Sequence, residues 1–167
     1  MTRYLLDTHL IYWWMTADVC LGTSTQNTIT KAEIVVSTLS IWEMVLKNTK
    51  GKLPLPQGDI TEQLEAQGFI LLPVLPRHIE AVRYLTCVHA DPFDRLLIAQ
   101  AQNEGLTLLT RDTAILALGL NNHRLKDGGF ELRTESPDTR RLNDASNLVP
   151  SGSCHWDSAQ NDAPDTP

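Results

Sequence analysis

Asp91-Pro92-Phe93-Asp94-Arg95-Leu96-Leu97-Ile98-Ala99-Gln100-Ala101-Gln102-Asn103-Glu104-Gly105-Leu106-Thr107-Leu108-Leu109-Thr110-Arg111-Asp112 is the stretch from which the fold is read. Asp91 has the side chain of a helix N-cap, and Pro92 suits a first helical position, where no amide partner is required. Leu97, Ala101 and Glu104 recur at helical spacing, and Gly105 ends the pattern. Leu106–Thr110 follows at once as a short, continuous apolar run. Such a run is expected of a strand buried on both faces.

The same alternation extends towards the N-terminus. Arg3–Leu6, Glu33–Ser37 and Ile70–Val74 are further strand candidates, and helical patterns fill about 8–15, 22–31, 39–49, 59–67, 77–89, 92–104 and 113–118. Strands alternating with helices imply parallel pairing through right-handed crossovers. The expectation is a three-layer α/β/α domain over residues 1–120 with a central, mainly parallel sheet. The pattern breaks near residue 120. Of the 47 residues 121–167 only 11 are apolar, punctuated by Gly128-Gly129, Ser136-Pro137 and Pro150-Ser151-Gly152. No strand or helix period is legible there, and so little apolar surface does not offset chain entropy. Residues 121–167 therefore read as a polar, disordered C-terminal tail.

Composition narrows the class. The 167 residues are 42% hydrophobic and 20% charged, as in ordinary globular chains. No apolar run approaches the ~18 residues that span a bilayer, and Asp7 comes too early for a secretory leader. Cys20, Cys87 and Cys154 are widely spaced, which argues against a disulfide framework or a zinc knuckle and suits a reducing cytoplasm. The net charge of −6 at first disfavours nucleic acid. Ligation of acids to divalent cations would remove that objection.

Four acids stand at related topological positions. Asp7 ends the first strand, Asp112 follows the fourth, and Glu43 and Asp94 sit near the starts of two helices. Residues just beyond the carboxyl ends of parallel strands face a common crevice. Each acid alone has a capping explanation: Ser40-Ile41-Trp42-Glu43 has the form of a capping box, and Asp94 suits the helix dipole. Asp7 and Asp112 could each cap the next helix. Four carboxylates in one crevice, however, repel each other unless a cation is present, and oxygen-only donors suit Mg²⁺ or Mn²⁺.

Leu5-Leu6-Asp7-Thr8-His9, Ser37-Thr38-Leu39-Ser40-Ile41-Trp42-Glu43, Lys47 with Gly51-Lys52-Leu53-Pro54, Asp91-Pro92-Phe93-Asp94-Arg95 and Leu109-Thr110-Arg111-Asp112 occur in that order. Over about residues 3–119 the chain resembles a PIN-domain ribonuclease of the VapC toxin type. The resemblance implies that Asp7, Glu43, Asp94 and Asp112 form the catalytic quartet that holds Mg²⁺ or Mn²⁺, and that Thr110 positions Asp7. It also implies hydrolysis of RNA, such as tRNA, to a 5′-phosphate and a 3′-hydroxyl without a covalent intermediate. A cognate antitoxin and a homodimer are the implied partners. Family members usually finish with a short final strand, whereas Leu118–His123 here runs into polar sequence. An altered reading frame and a genuine polar tail are the two explanations.

Other residues read more plainly. Asp91 is an N-cap, Lys47 an i,i+4 partner of Glu43, and His9 a packed or solvated histidine. Arg95 and Arg111 suit phosphate contact and structural pairing equally. Trp13, Trp14 and Trp42 are core or interface aromatics, with an interface favoured for Trp13-Trp14 because adjacent helical residues cannot both face one core. The alternative function is a catalytically weak PIN domain that binds RNA or protein, against which the intact quartet argues. A haloacid-dehalogenase-like phosphatase would need a second Asp at position 9, which is His.

Overall fold

The computed structural model describes residues 2–85, 91–116, 121–124 and 130–133. In chain order these form β1 (Arg3–Leu6), α1 (Thr8–Met15), α2 (Thr23–Lys31), β2 (Glu33–Ser37), α3 (Thr38–Thr49) and α4 (Ile60–Ala66). They continue as β3 (Ile70–Leu72), α5 (Pro76–Ala81), α6 (Pro92–Glu104), β4 (Thr107–Thr110), α7 (Thr113–Leu116), β5 (Asn121–Arg124) and β6 (Phe130–Arg133). The expected helix over 77–89 is shorter than its pattern. α5 ends at Ala81, a single 3₁₀ turn covers Val82–Tyr84, and residues 86–90 lie outside the described residues.

The sheet runs β3-β2-β1-β4-β6-β5, with β1–β2, β1–β4 and β2–β3 parallel. Its two faces explain the strand sequences. Leu5, Val35 and Leu108 join one apolar cluster with Leu97, Ile98 and Ile115, whereas Leu6, Val36 and Leu109 join another with Leu10, Ile11 and Met44. Side chains alternate across a strand, so a continuous apolar run fills both clusters at once. That makes the three layers. The chain steps outward from β1 to β2 and β3, then returns to the other side of β1 as β4. A ligand crevice is expected at this reversal, beyond the carboxyl ends of β1 and β4.

The tail reading is corrected at its start. Residues 121–124 and 130–133 are strands: β6 pairs antiparallel with β4, Leu108 opposite Leu132, and β5 pairs antiparallel with β6. Phe130-Glu131-Leu132-Arg133 does alternate with period two, but over only four residues, and Asn121-Asn122-His123-Arg124 has no apolar residue. Such short strands are held by the backbone ladder, which leaves little trace in composition. Residues 134–167 lie outside the described residues.

Side-chain caps set where the helices begin. Asp7, Ser37, Asp59 and Asp91 accept backbone N–H bonds at the starts of α1, α3, α4 and α6. The capping box expected from Ser40 to Glu43 does not form, because Ser37 caps α3 three residues earlier, through the Leu39 amide at 3.0 Å. Glu43 thus lies in the second turn, free of capping duty. Ser37 Oγ also donates to Gln100 Oε1 at 2.5 Å, which ties the end of β2 to α6. Beside it the buried His78 accepts the Leu75 amide at Nδ1, 3.1 Å away. That assigns the ring proton to Nε2, which donates to Glu104 at 2.9 Å.

Candidate functional site

Asp7 follows β1 and is 1% exposed. Its Oδ2 accepts from Thr110 Oγ1 at 2.5 Å, and Oδ1 accepts the His9 amide at 3.3 Å with His9 Nδ1 at the same distance. Thr110 Oγ1 also accepts the Asp112 amide at 3.0 Å, so its own proton is directed at Asp7. Burial alone would push the Asp7 carboxyl up. The His9 charge and the hydrogen bonds from His9 and Thr110 outweigh it and hold Asp7 below the usual carboxylate range. On His9, burial acts downward, but Asp7 keeps the imidazole above its ordinary value. Each group of the pair favours the charged form of the other.

Glu43 projects from α3 and is nearly buried. Thr8 Oγ1 donates to its Oε2 at 2.7 Å, and Lys47 Nζ lies 2.7 Å from its Oε1. Asp94, in the first turn of α6, is 9% exposed. Its carboxyl is pushed up to about 9, by burial first and then by the charges of Asp7, Asp91, Asp112 and Glu43. Asp94 therefore senses all three other acids of the expected quartet and Asp91 besides. Asp112 is half-buried beyond β4.

The donor set is made of hard carboxylate oxygens, which suits Mg²⁺ or Mn²⁺. A carboxyl that burial and four like charges keep protonated at neutral pH is one whose ionisation a divalent cation would restore. In chemistry the residues fit such an ion. As the side chains stand, no three His, Cys, Asp or Glu among the described residues close round a single ion. Asp7 and Glu43 instead hold the hydrogen bonds given above.

Several neighbours resolve differently from one another. Asp91 is the N-cap of α6, accepting the Phe93 amide at 2.8 Å, and its charge also bears on Asp94. Lys47 makes the expected i,i+4 pair. Arg111 takes structural partners: its Nη1 donates to the Cys20 carbonyl, and the guanidinium lies 5.9 Å from the Trp13 ring centre. Trp13 is buried and Trp14 packs against the same cluster, so the two adjacent indoles share one core after all. A helix embedded in a deep apolar layer presents both flanks to it. Trp42 is exposed. The role of Thr8 leaves no local mark in the sequence, since its acceptor lies 35 residues away in the chain.

The PIN domain family model matches residues 4–120. The chain is 30% identical over 116 residues to Ribonuclease VapC22 of Mycobacterium tuberculosis, an alignment spanning 67% of this chain and 88% of that relative. Among solved structures it is similar to VapBC2 from Rickettsia felis bound to a DNA fragment from their promoter, at 14% identity and a TM-score of 0.49 over 70% of this chain and 93% of that one. It is also similar to a toxin-antitoxin complex from Klebsiella pneumoniae, at 19% identity and a TM-score of 0.49 over 68% and 90% of the two chains.

Proposed function

The chain belongs to the PIN-domain family, and on that premise we propose that it is a divalent-metal-dependent endoribonuclease acting as the toxin of a toxin–antitoxin pair. The observation that carries the reading is Asp94, a buried carboxyl on which the charge of Asp91 and those of Asp7, Glu43 and Asp112, from three other stretches of chain, converge. The 30% identity to a protein named as a ribonuclease supports the substrate class.

Asp7, Glu43, Asp94 and Asp112 are the residues that hold Mg²⁺ or Mn²⁺ in this reading. When bound, the ion supplies Lewis-acid stabilisation of the charge on the phosphodiester oxygens. The chain's own residues prepare the site. Thr110 and His9 keep Asp7 ionised and fix its orientation, and Thr8 and Lys47 fix the orientation of the Glu43 carboxylate. Positions set by buried hydrogen bonds cost little to maintain at the moment of reaction. A cognate antitoxin, a homodimeric state and a cytoplasmic setting belong to the same proposal. Among the described residues no helix is long and apolar enough to cross a membrane.

The test is cleavage of RNA by the purified protein in Mg²⁺. Cleavage should stop on chelation and fall at least about 100-fold in Asp94→Asn or Asp7→Asn, as loss of a principal ligand predicts. Equal rates in the folded variants would identify a contaminating nuclease and defeat the reading. RNA binding without cleavage would favour the binding-module alternative.

A further inference from the structure

Trp42 is 55% exposed, although it immediately precedes the nearly buried Glu43 on α3. Its ring centre lies 5.2 Å from that of Phe93, with the planes tilted by 47°. Phe93 immediately precedes Asp94 on α6 and is itself packed against the sheet-facing cluster of Leu97 and Ile98. The two aromatics therefore bridge the two helices that carry Glu43 and Asp94. Leu39 and Leu97, both buried in that same cluster, already join these helices below them. A purely structural bridge would need no indole in water above it. The two rings are tilted rather than stacked, and Trp42 stays more than half exposed beside Phe93, which braces the indole without enclosing it.

Val19, Val45, Ile70, Ile79 and Tyr84 are the other large exposed hydrophobics among the described residues. Trp42 is the one that both adjoins an acid of the site and touches the neighbour of a second. We infer, resting on the nuclease reading above, that Trp42, braced by Phe93, is a platform on which an unpaired base flanking the scissile phosphodiester of RNA stacks. Trp42 and Phe93 each adjoin a site acid in the chain, so a phosphodiester drawn to Glu43 and Asp94 brings its flanking bases towards this aromatic pair. An unstacked base offers a π face that an aromatic ring binds with little regard to base identity. The platform selects for single-stranded RNA at the cleaved position.

The cleavage position is first mapped on a single-stranded oligoribonucleotide with the wild type in Mg²⁺. KM and kcat are then compared for the wild type, Trp42→Phe and Trp42→Leu, on that oligonucleotide and on versions abasic at each flanking position in turn. Trp42→Leu should raise KM about tenfold with kcat nearly unchanged, and Trp42→Phe should restore most of the loss. One abasic position should raise the wild-type KM about equally and add nothing in Trp42→Leu. Trp42→Gln serves if Trp42→Leu does not fold. An unchanged KM, or the same abasic penalty in both proteins, would overturn the proposal while leaving the nuclease reading intact. So would a loss accompanied by a change of native mass, which would assign the patch to a second copy of the chain. No cleavage by the wild type would overturn the nuclease reading, and this proposal with it.

Discussion

Asp94 is the residue at which the fold works against ionisation. Its carboxyl is held up to about 9 against an ordinary 3.8, by burial and by four neighbouring acids. Between those values the folded chain binds more protons than the unfolded chain, so this group lowers stability as pH rises through that window. Asp7 has the opposite sign: its depressed carboxyl adds stability above the ordinary value, lost as pH falls through the folded one. Without divalent cations, Asp94→Asn should therefore raise the melting temperature by several degrees at pH 8 and by little at pH 5. Thermal unfolding at the two pH values checks it; an equal shift at both would contradict the electrostatic cause. At this scale the acids were legible because each sits beside a strand end or a helix start. Their braces were less so. Thr8 reaches Glu43 across 35 positions, and no local pattern encodes a contact of that span.

α6 shows how far an element can be read from its own residues. Asp91, Pro92 and Gly105 mark both ends, and the observed helix is Pro92–Glu104 as its pattern predicts. Gly105 takes φ +63°, where a Cβ would meet nothing within 4 Å. The cost of Gly105→Ala is then backbone strain alone, about 1 kcal/mol, with cleavage activity unchanged. Chemical denaturation and an RNA-cleavage rate check both halves. A loss of activity without a loss of stability would mean that the turn into β4 bears directly on the site. α3 was harder to read, because Ser37 and Ser40 both resemble caps and only packing decides between them. Ser37 wins by also reaching Gln100 on α6, a tertiary contact that competes with the local motif.

For the whole molecule, the strand order matters most. β1 and β4 are neighbours although about a hundred residues separate them, which brings Asp7 to Thr110 at the carboxyl ends of the two strands. The parallel core was legible because strands buried on both faces are apolar throughout. β5 and β6 were not, since so short an antiparallel pair depends on the ladder it joins. They cover the edge of β4 that would otherwise present unpaired backbone groups. Truncation after residue 120 should thus lower the melting temperature and promote aggregation, whereas truncation after residue 133 should leave RNA cleavage unchanged. Light scattering and a cleavage rate on both truncated chains decide the matter. Equal behaviour of the two would show that the β5–β6 edge adds nothing.

If the acids around Asp94 are gathered for a divalent cation, calorimetric titration with Mn²⁺ at pH 7.5 in two buffers of different ionisation enthalpy will register the proton that the ion displaces. Binding should release close to one proton from the wild type, as Asp94 ionises beside the metal, and no such proton from folded Asp94→Asn. Binding to both proteins with identical heats in the two buffers, or no binding to the wild type, would contradict it.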